Sequence, residues 1–163
     1  MKNSTGFPIL LTIVAFSTFT VIFSMADEWE ATLTATSNDA EVEVQELTYK
    51  TVIGSTDGFD AGRDTPAPPK APVPVELYIF FPVTGNPFIT RLRTDVRAPA
   101  ETVSWSFNLQ ADVTGGNLTW DISRIPLDYT VVLRYNTTTV DMLAMTSILY
   151  GTGTTIYTNP EFT

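Results

Sequence analysis

The chain has 163 residues, room for one domain of ordinary size. Cysteine and histidine are both absent, which excludes disulfides, thiolate or imidazole metal sites, Ser-His-Asp triads and histidine general bases. Acids outnumber bases 18 to 9, a net charge of −9, which is the wrong sign for tracking a nucleic-acid backbone.

The first 26 residues differ from the rest. Lys2 and the α-amino group supply a positive end, Gly6 to Phe23 carries no charge, and the acids Asp27, Glu28 and Glu30 follow. Small residues at Ser24 and Ala26 predict a signal-peptidase cut after Ala26, and the charge order fits export of everything beyond it. Two alternatives stay open. The apolar run is at the lower limit of what spans a bilayer, so an alternative to the favoured cleavage is that residues 7–26 stay as an uncleaved hydrophobic helix serving as anchor, the chain's one membrane contact. Gly6-Phe7 before an apolar stretch also resembles the cleavage site of type IV pilins, although Leu11 stands where bacterial pilins usually carry glutamate. Each alternative places residues 27–163 outside the cytoplasm, extracellular or on the cell surface. An exported chain without cysteine has only core packing to hold it, which points to a microbial surface protein more than an animal ectodomain.

Beyond the leader the hydrophobic period is two. Trp29, Ala31, Leu33 and Ala35 alternate with Glu30, Thr32 and Thr34, and Val103, Trp105, Phe107, Leu109 and Ala111 alternate with Ser104, Ser106, Asn108 and Gln110. Both patterns predict half-buried strands. Leu118, Trp120 and Ile122 continue the theme, and Tyr129 to Tyr135 is β-branched and aromatic. Leu77 to Phe81 is short and wholly apolar, as for a strand covered on both faces. Turn residues recur at Ser37-Asn38-Asp39, Asp57-Gly58, Gly85-Asn86-Pro87, Gly115-Gly116, Asn136 and Gly151 to Gly153, the spacing of an antiparallel β-sandwich or barrel. The expected fold is all-β, a single domain over residues 27–163.

Residues 65–74 read TPAPPKAPVP, with five prolines in ten positions. They predict a polyproline-type connector across the domain surface. Acids concentrate before it: residues 27–64 hold ten against Lys50 and Arg63. Thirty-eight residues are too few for a separate domain without cysteine, so the early strands are expected to join the same sheet system.

Asp57, Asp60 and Asp64, with glycines between them, are candidate oxygen ligands for Ca²⁺. Their spacing departs from the EF-hand pattern, and the competing reading is a set of Asx-turns with Phe59 plugged into the core. Arg91, Arg93 and Arg97 form a basic cluster; Arg91 and Arg93 at i and i+2 are expected to share a strand face and to meet Glu41 and Glu43, or to lie solvated. Asn117-Leu118-Thr119 and Asn136-Thr137-Thr138 are glycosylation sequons, and a third at Asn3 falls in the leader. No acid pair sits in a setting that argues for glycoside hydrolysis, so no enzyme activity and no cofactor is expected.

Gly116-Asn117-Leu118-Thr119-Trp120-Asp121, Ile125-Pro126 and Tyr129-Thr130-Val131 together resemble fibronectin type III and related immunoglobulin-like modules. The wider order, with the Asp57–Asp64 loop, Pro68-Pro69 and Thr139 to Met142, is similar to β-sandwich modules of secreted and surface-layer-associated archaeal and bacterial proteins. The resemblance covers about residues 29–163 and implies a structural or adhesive role with no catalytic residues. The expected partners are other surface proteins, further copies of the chain, or glycans. Strand addition is expected at open edges near Glu41 to Glu46 or Thr154 to Tyr157. The alternatives are a filament subunit, pilin-like or strand-donating, and a carbohydrate-binding module using Tyr78, Trp105 or Tyr150 as its platform.

Overall fold

The computed structural model describes residues 28–70, 77–111 and 115–162, with side chains described as far as residue 153. The expected leader helix lies outside the described residues. Among them the secondary structure is β throughout: β1 (Glu30–Ser37), β2 (Gln45–Thr51), β3 (Thr65–Pro66), β4 (Leu77–Pro82), β5 (Arg91–Arg97), β6 (Ser106–Ala111), β7 (Gly116–Asp121), β8 (Val131–Tyr135), β9 (Thr138–Asp141), β10 (Ser147–Tyr150) and β11 (Gly153–Phe162). The strands follow one hydrogen-bonded path, β10-β7-β1-β2-β5-β4-β6-β11-β8-β9, with β3 beside β5. Strands from before and after the proline run thus share one sheet. The run is only partly a connector: Thr65 and Pro66 pair with β5, and the Tyr78 hydroxyl donates to the Pro68 carbonyl at 2.5 Å.

The expected all-antiparallel arrangement is corrected at one place. β2 and β5 run parallel, from Thr48↔Thr94 to Thr51↔Arg97. Parallel neighbours need a long crossover, and residues 52–90 supply it.

Alternation behaves as the sequence predicts. On β1, Ala31, Leu33 and Ala35 are buried, and on β6 Phe107, Leu109 and Ala111 are fully enclosed. In β4, Leu77, Ile79 and Phe81 enter the core. On its other face Tyr78 and Phe80 are covered by the Arg91 guanidinium, 5.6 and 5.0 Å from their ring centres. The uniform apolarity of that strand is explained: both faces are covered, one by core and one by a cation over aromatic rings.

The sheet is curled. β4 changes partner along its length, pairing with β6 through Leu77–Phe80 and with β5 at Phe81 and Pro82. The two end strands of the path, β9 and β10, are consecutive in the chain, with Asp141 and Ser147 bounding the link. A flat sheet of that many strands would separate its ends by about 43 Å; the link reaches no more than about 22 Å. The path must therefore bend round on itself, and side chains from distant parts of it meet. Trp29 packs edge-on against Trp105 at 5.6 Å, and Tyr49 lies 5.4 Å from Trp105 and 6.0 Å from Phe81. One apolar core results, running from Trp29 to Tyr150.

Candidate functional site

The acidic loop after β2 is a self-closing turn system. Asp60 accepts from the Thr56 amide at 2.6 Å and its hydroxyl at 3.0 Å. Asp64, buried, accepts from the Asp60 amide at 2.6 Å and from the Val96 amide at 2.8 Å, so its carboxylate acts as a substitute strand partner for β5. Arg63 closes the loop by donating to the Ser55 hydroxyl at 2.5 Å and the Ile53 carbonyl at 3.2 Å. Asp57 is exposed, and Phe59 packs against the core. The structure does not gather Asp57, Asp60 and Asp64 around a common point, and among the described residues no group of three or more acidic side chains is placed to hold a metal ion.

The arginines separate. The register of β3 against β5 slips between Thr65↔Thr94 and Pro66↔Leu92, an irregularity that breaks strict alternation along β5. Arg91 consequently lies over Tyr78 and Phe80, while Arg93 reaches Gln45 at 2.8 Å, not Glu41 or Glu43. Arg97 sits 5.3 Å from the Trp105 ring, donates to the Ser104 carbonyl at 2.6 Å and pairs with Asp95 at 3.0 Å.

Asp95 went unremarked in the sequence because nothing local marks it as buried; a parallel neighbour, β2, and Trp105 enclose it. Desolvation raises its pKa above the ordinary 3.8, with the nearby Asp64 carboxylate adding to the rise and Arg97 opposing it. The folded protein therefore holds the Asp95 proton to higher pH than the unfolded chain does, and stability falls as pH rises from the ordinary carboxylate value through the raised one. Asp95→Asn is expected to flatten that part of the profile. Urea unfolding of both proteins from about pH 4 to about pH 7 measures it; superimposable profiles would show that Asp95 titrates normally.

The aromatic platform is corrected. Tyr78, Trp105 and Tyr150 are 5%, 1% and 7% exposed, so none offers a ring face to a sugar. Their burial follows from β4 being covered on both sides, from Trp105 lying at the core centre, and from Tyr150 packing over Gly116. Burial also raises the Tyr150 phenol above its usual range. Of the two sequons, Asn136 is exposed at the β8–β9 hairpin tip with φ 50°, whereas Asn117 is half-buried in β7 between β1 and β10 with its Oδ1 enclosed.

The expected edge segments lie in strands interior to the path but are paired on one side over most of their length: Glu46 pairs with Thr34 of β1 while the β2–β5 ladder begins at Thr48, and Thr154 to Ile156 pair with β6 while the β11–β8 ladder begins at Tyr157. The path itself ends at β9 and β10. β10 pairs with β7 from Ser147↔Thr119 to Tyr150↔Gly116, and its other side has no strand partner among the described residues. Ile148 and Tyr150 point into the core, while Leu149 is 80% exposed. The segment leading into β10 is fixed from two sides. Asp141 Oδ1 accepts from the Leu143 and Ala144 amides, and the Trp120 indole N–H is shared between the Met142 and Met145 carbonyls at 3.0 and 2.9 Å. Leu143 and Met145 remain substantially exposed. A rigidly held strand, paired on one side only and carrying an outward leucine, is the feature of this surface best suited to receive another chain. Comparison of the chain with protein-family models, with curated proteins and with solved structures finds no match.

Proposed function

We propose that the protein is an exported, non-catalytic structural or adhesive module of the cell surface or extracellular matrix, built as an immunoglobulin-like β-sandwich, that joins its partner by strand addition at β10. The open edge of β10 with Leu149 beside it carries this reading. Backbone N–H and C=O groups along such an edge give affinity, and the outward side chain gives register. The leader-like residues 1–26 support export.

A filament is the second reading, favoured by one observation: the path has two unlike open ends, β9 and β10. Pairing one copy's β10 with the next copy's β9 is a heterologous contact, which propagates unless the rotation closes.

Two measurements test these readings. The N-terminus of the protein recovered from the cell exterior is expected to be Asp27; a start at Phe7 would replace the module with a pilin-type subunit. Leu149→Lys is expected to weaken self-association or partner capture about tenfold or more, because a lysine at an edge blocks pairing. Light scattering and negative-stain microscopy report the assembly state, and an unaltered distribution in the variant would remove β10 as the docking edge.

A further inference from the structure

β10 forms a neutral margin on an acidic molecule. From Met142 to Pro160 the sequence carries no charge, in a chain with 18 acids and a net charge of −9. The described strands beside β10 continue that neutrality. Leu149 lies in register with Asn117 and Thr36, and Ser147 with Thr119 and Thr34. The rank through Ser147 meets its first charge at Glu46 of β2, three strand spacings or about 14 Å away. Along β7 the first charge is Asp121, four residues past Asn117 and so about 14 Å from Leu149.

Two copies with a net charge of −9 repel each other. Screening limits that repulsion to about 8 Å at physiological salt, so a neutral border of about 14 Å is a place where two copies can touch. The strand itself, Ser147 to Tyr150, has neither lysine nor proline nor any charge to block pairing.

β9, the other end of the path, is different. Val140 is its buried side chain, and its exposed ones are Thr138, Thr139 and Asp141. Against a neighbour's β9, Leu149 would meet polar side chains and an acid. Against β10 of a second copy it meets leucine. Antiparallel pairing about a two-fold axis at Leu149 also sets Ile148 opposite Tyr150 of the second copy. Both of those side chains point inward, so each core face continues across the join. The same axis carries the two copies of Asp121 to opposite ends of it.

We propose that β10 pairs antiparallel with β10 of a second copy, closing a two-fold dimer around Leu149. This rests on the reading of β10 as the docking edge and names its occupant. The contact is isologous, so assembly stops at two copies.

The test is light scattering of the full protein over a range of concentrations, with Leu149→Cys as a crosslinking probe. The chain has no cysteine, so oxidised glutathione can join only the introduced thiols. Reversible dimers and no larger species are expected. Oxidation of Leu149→Cys is expected to trap them, because residues directly opposed in an antiparallel pair have the Cα separation of a disulfide. Leu127→Cys, on an exposed loop, is expected to stay mostly monomeric. Leu149→Lys is expected to raise the dissociation constant about tenfold or more. In the parent that constant is expected to fall as salt rises from about 0.01 M to about 0.15 M, since screening shortens from about 30 to about 8 Å.

Open polymers that Leu149→Lys dissolves would overturn the two-fold pairing while keeping β10 as the docking edge. A parent that is monomeric at every concentration would overturn self-pairing and leave the edge to a different protein. A dimer untouched by Leu149→Lys, at an unchanged melting temperature, would overturn both readings. Dimers whose Leu149→Cys thiols fail to link, or whose dissociation constant rises with salt, would overturn the pairing across a neutral border at Leu149.

Discussion

Trp105→Ala is expected to cost about 3–5 kcal/mol of folding stability, the range for removing a large aromatic side chain from a packed interior. Trp105 is 1% exposed and stands where the curled sheet closes on itself. It touches Trp29 just before β1, Tyr49 from β2 and Arg97 from the end of β5. Alanine would leave a cavity that three rigid strands cannot collapse to fill, and would open the enclosure around Asp95. Urea unfolding followed by far-ultraviolet circular dichroism measures the loss. A change below about 1 kcal/mol, the ordinary effect of an unremarkable substitution, would mean that the two halves of the path do not depend on this contact.

Gly116→Ala is the second large effect, of about 2–3 kcal/mol, through overpacking rather than loss. A Cβ at Gly116 would fall 1.9 Å from the Thr36 carbonyl oxygen and 2.4 Å from the Tyr150 hydroxyl. The first is backbone of the adjacent strand, so the β1–β7 ladder must yield. The second is the ring whose hydroxyl donates to that same carbonyl at 2.8 Å, tying β10 across β7 to β1. The substitution is therefore expected both to lower stability and to loosen β10. Gly58→Ala is the control: its nearest neighbour to a new Cβ is a threonine hydroxyl at 3.8 Å, and the effect should stay within about 0.5 kcal/mol. Equal melting temperatures for the two variants would show that β10 is not seated as described.

Much of the strand content was legible because alternation is a local property. Trp29 to Ala35 and Phe107 to Ala111 announced their buried faces residue by residue. Pairing partners were not legible. The sequence shows acids at Glu41, Glu43 and Glu46 but not that β5 arrives parallel to β2, which makes Glu46 part of an interior strand. Arg91 and Arg93 read as one face, and only the register slip against β3 separates them. Alternation already set Trp105 on an inward face and the apolar run set Tyr78 in a doubly covered strand, against the platform reading; the burial of Tyr150 depends on what packs beside it in the fold. Met142 to Pro160 is visible as an uncharged stretch; the neutral border of β10 exists only once β7 and β1 lie in register beside it.

By itself the sequence determined the all-β character of the described residues, the inward face of the main strands, and the turns that separate them, since side-chain period and turn chemistry act over a few residues. The tertiary structure decided strand order, the parallel pair, the ends of the path at β9 and β10, and the burial of Asp95 and Tyr150. Those properties come from contacts between residues far apart in the chain, and no local pattern encodes which strand will be the neighbour.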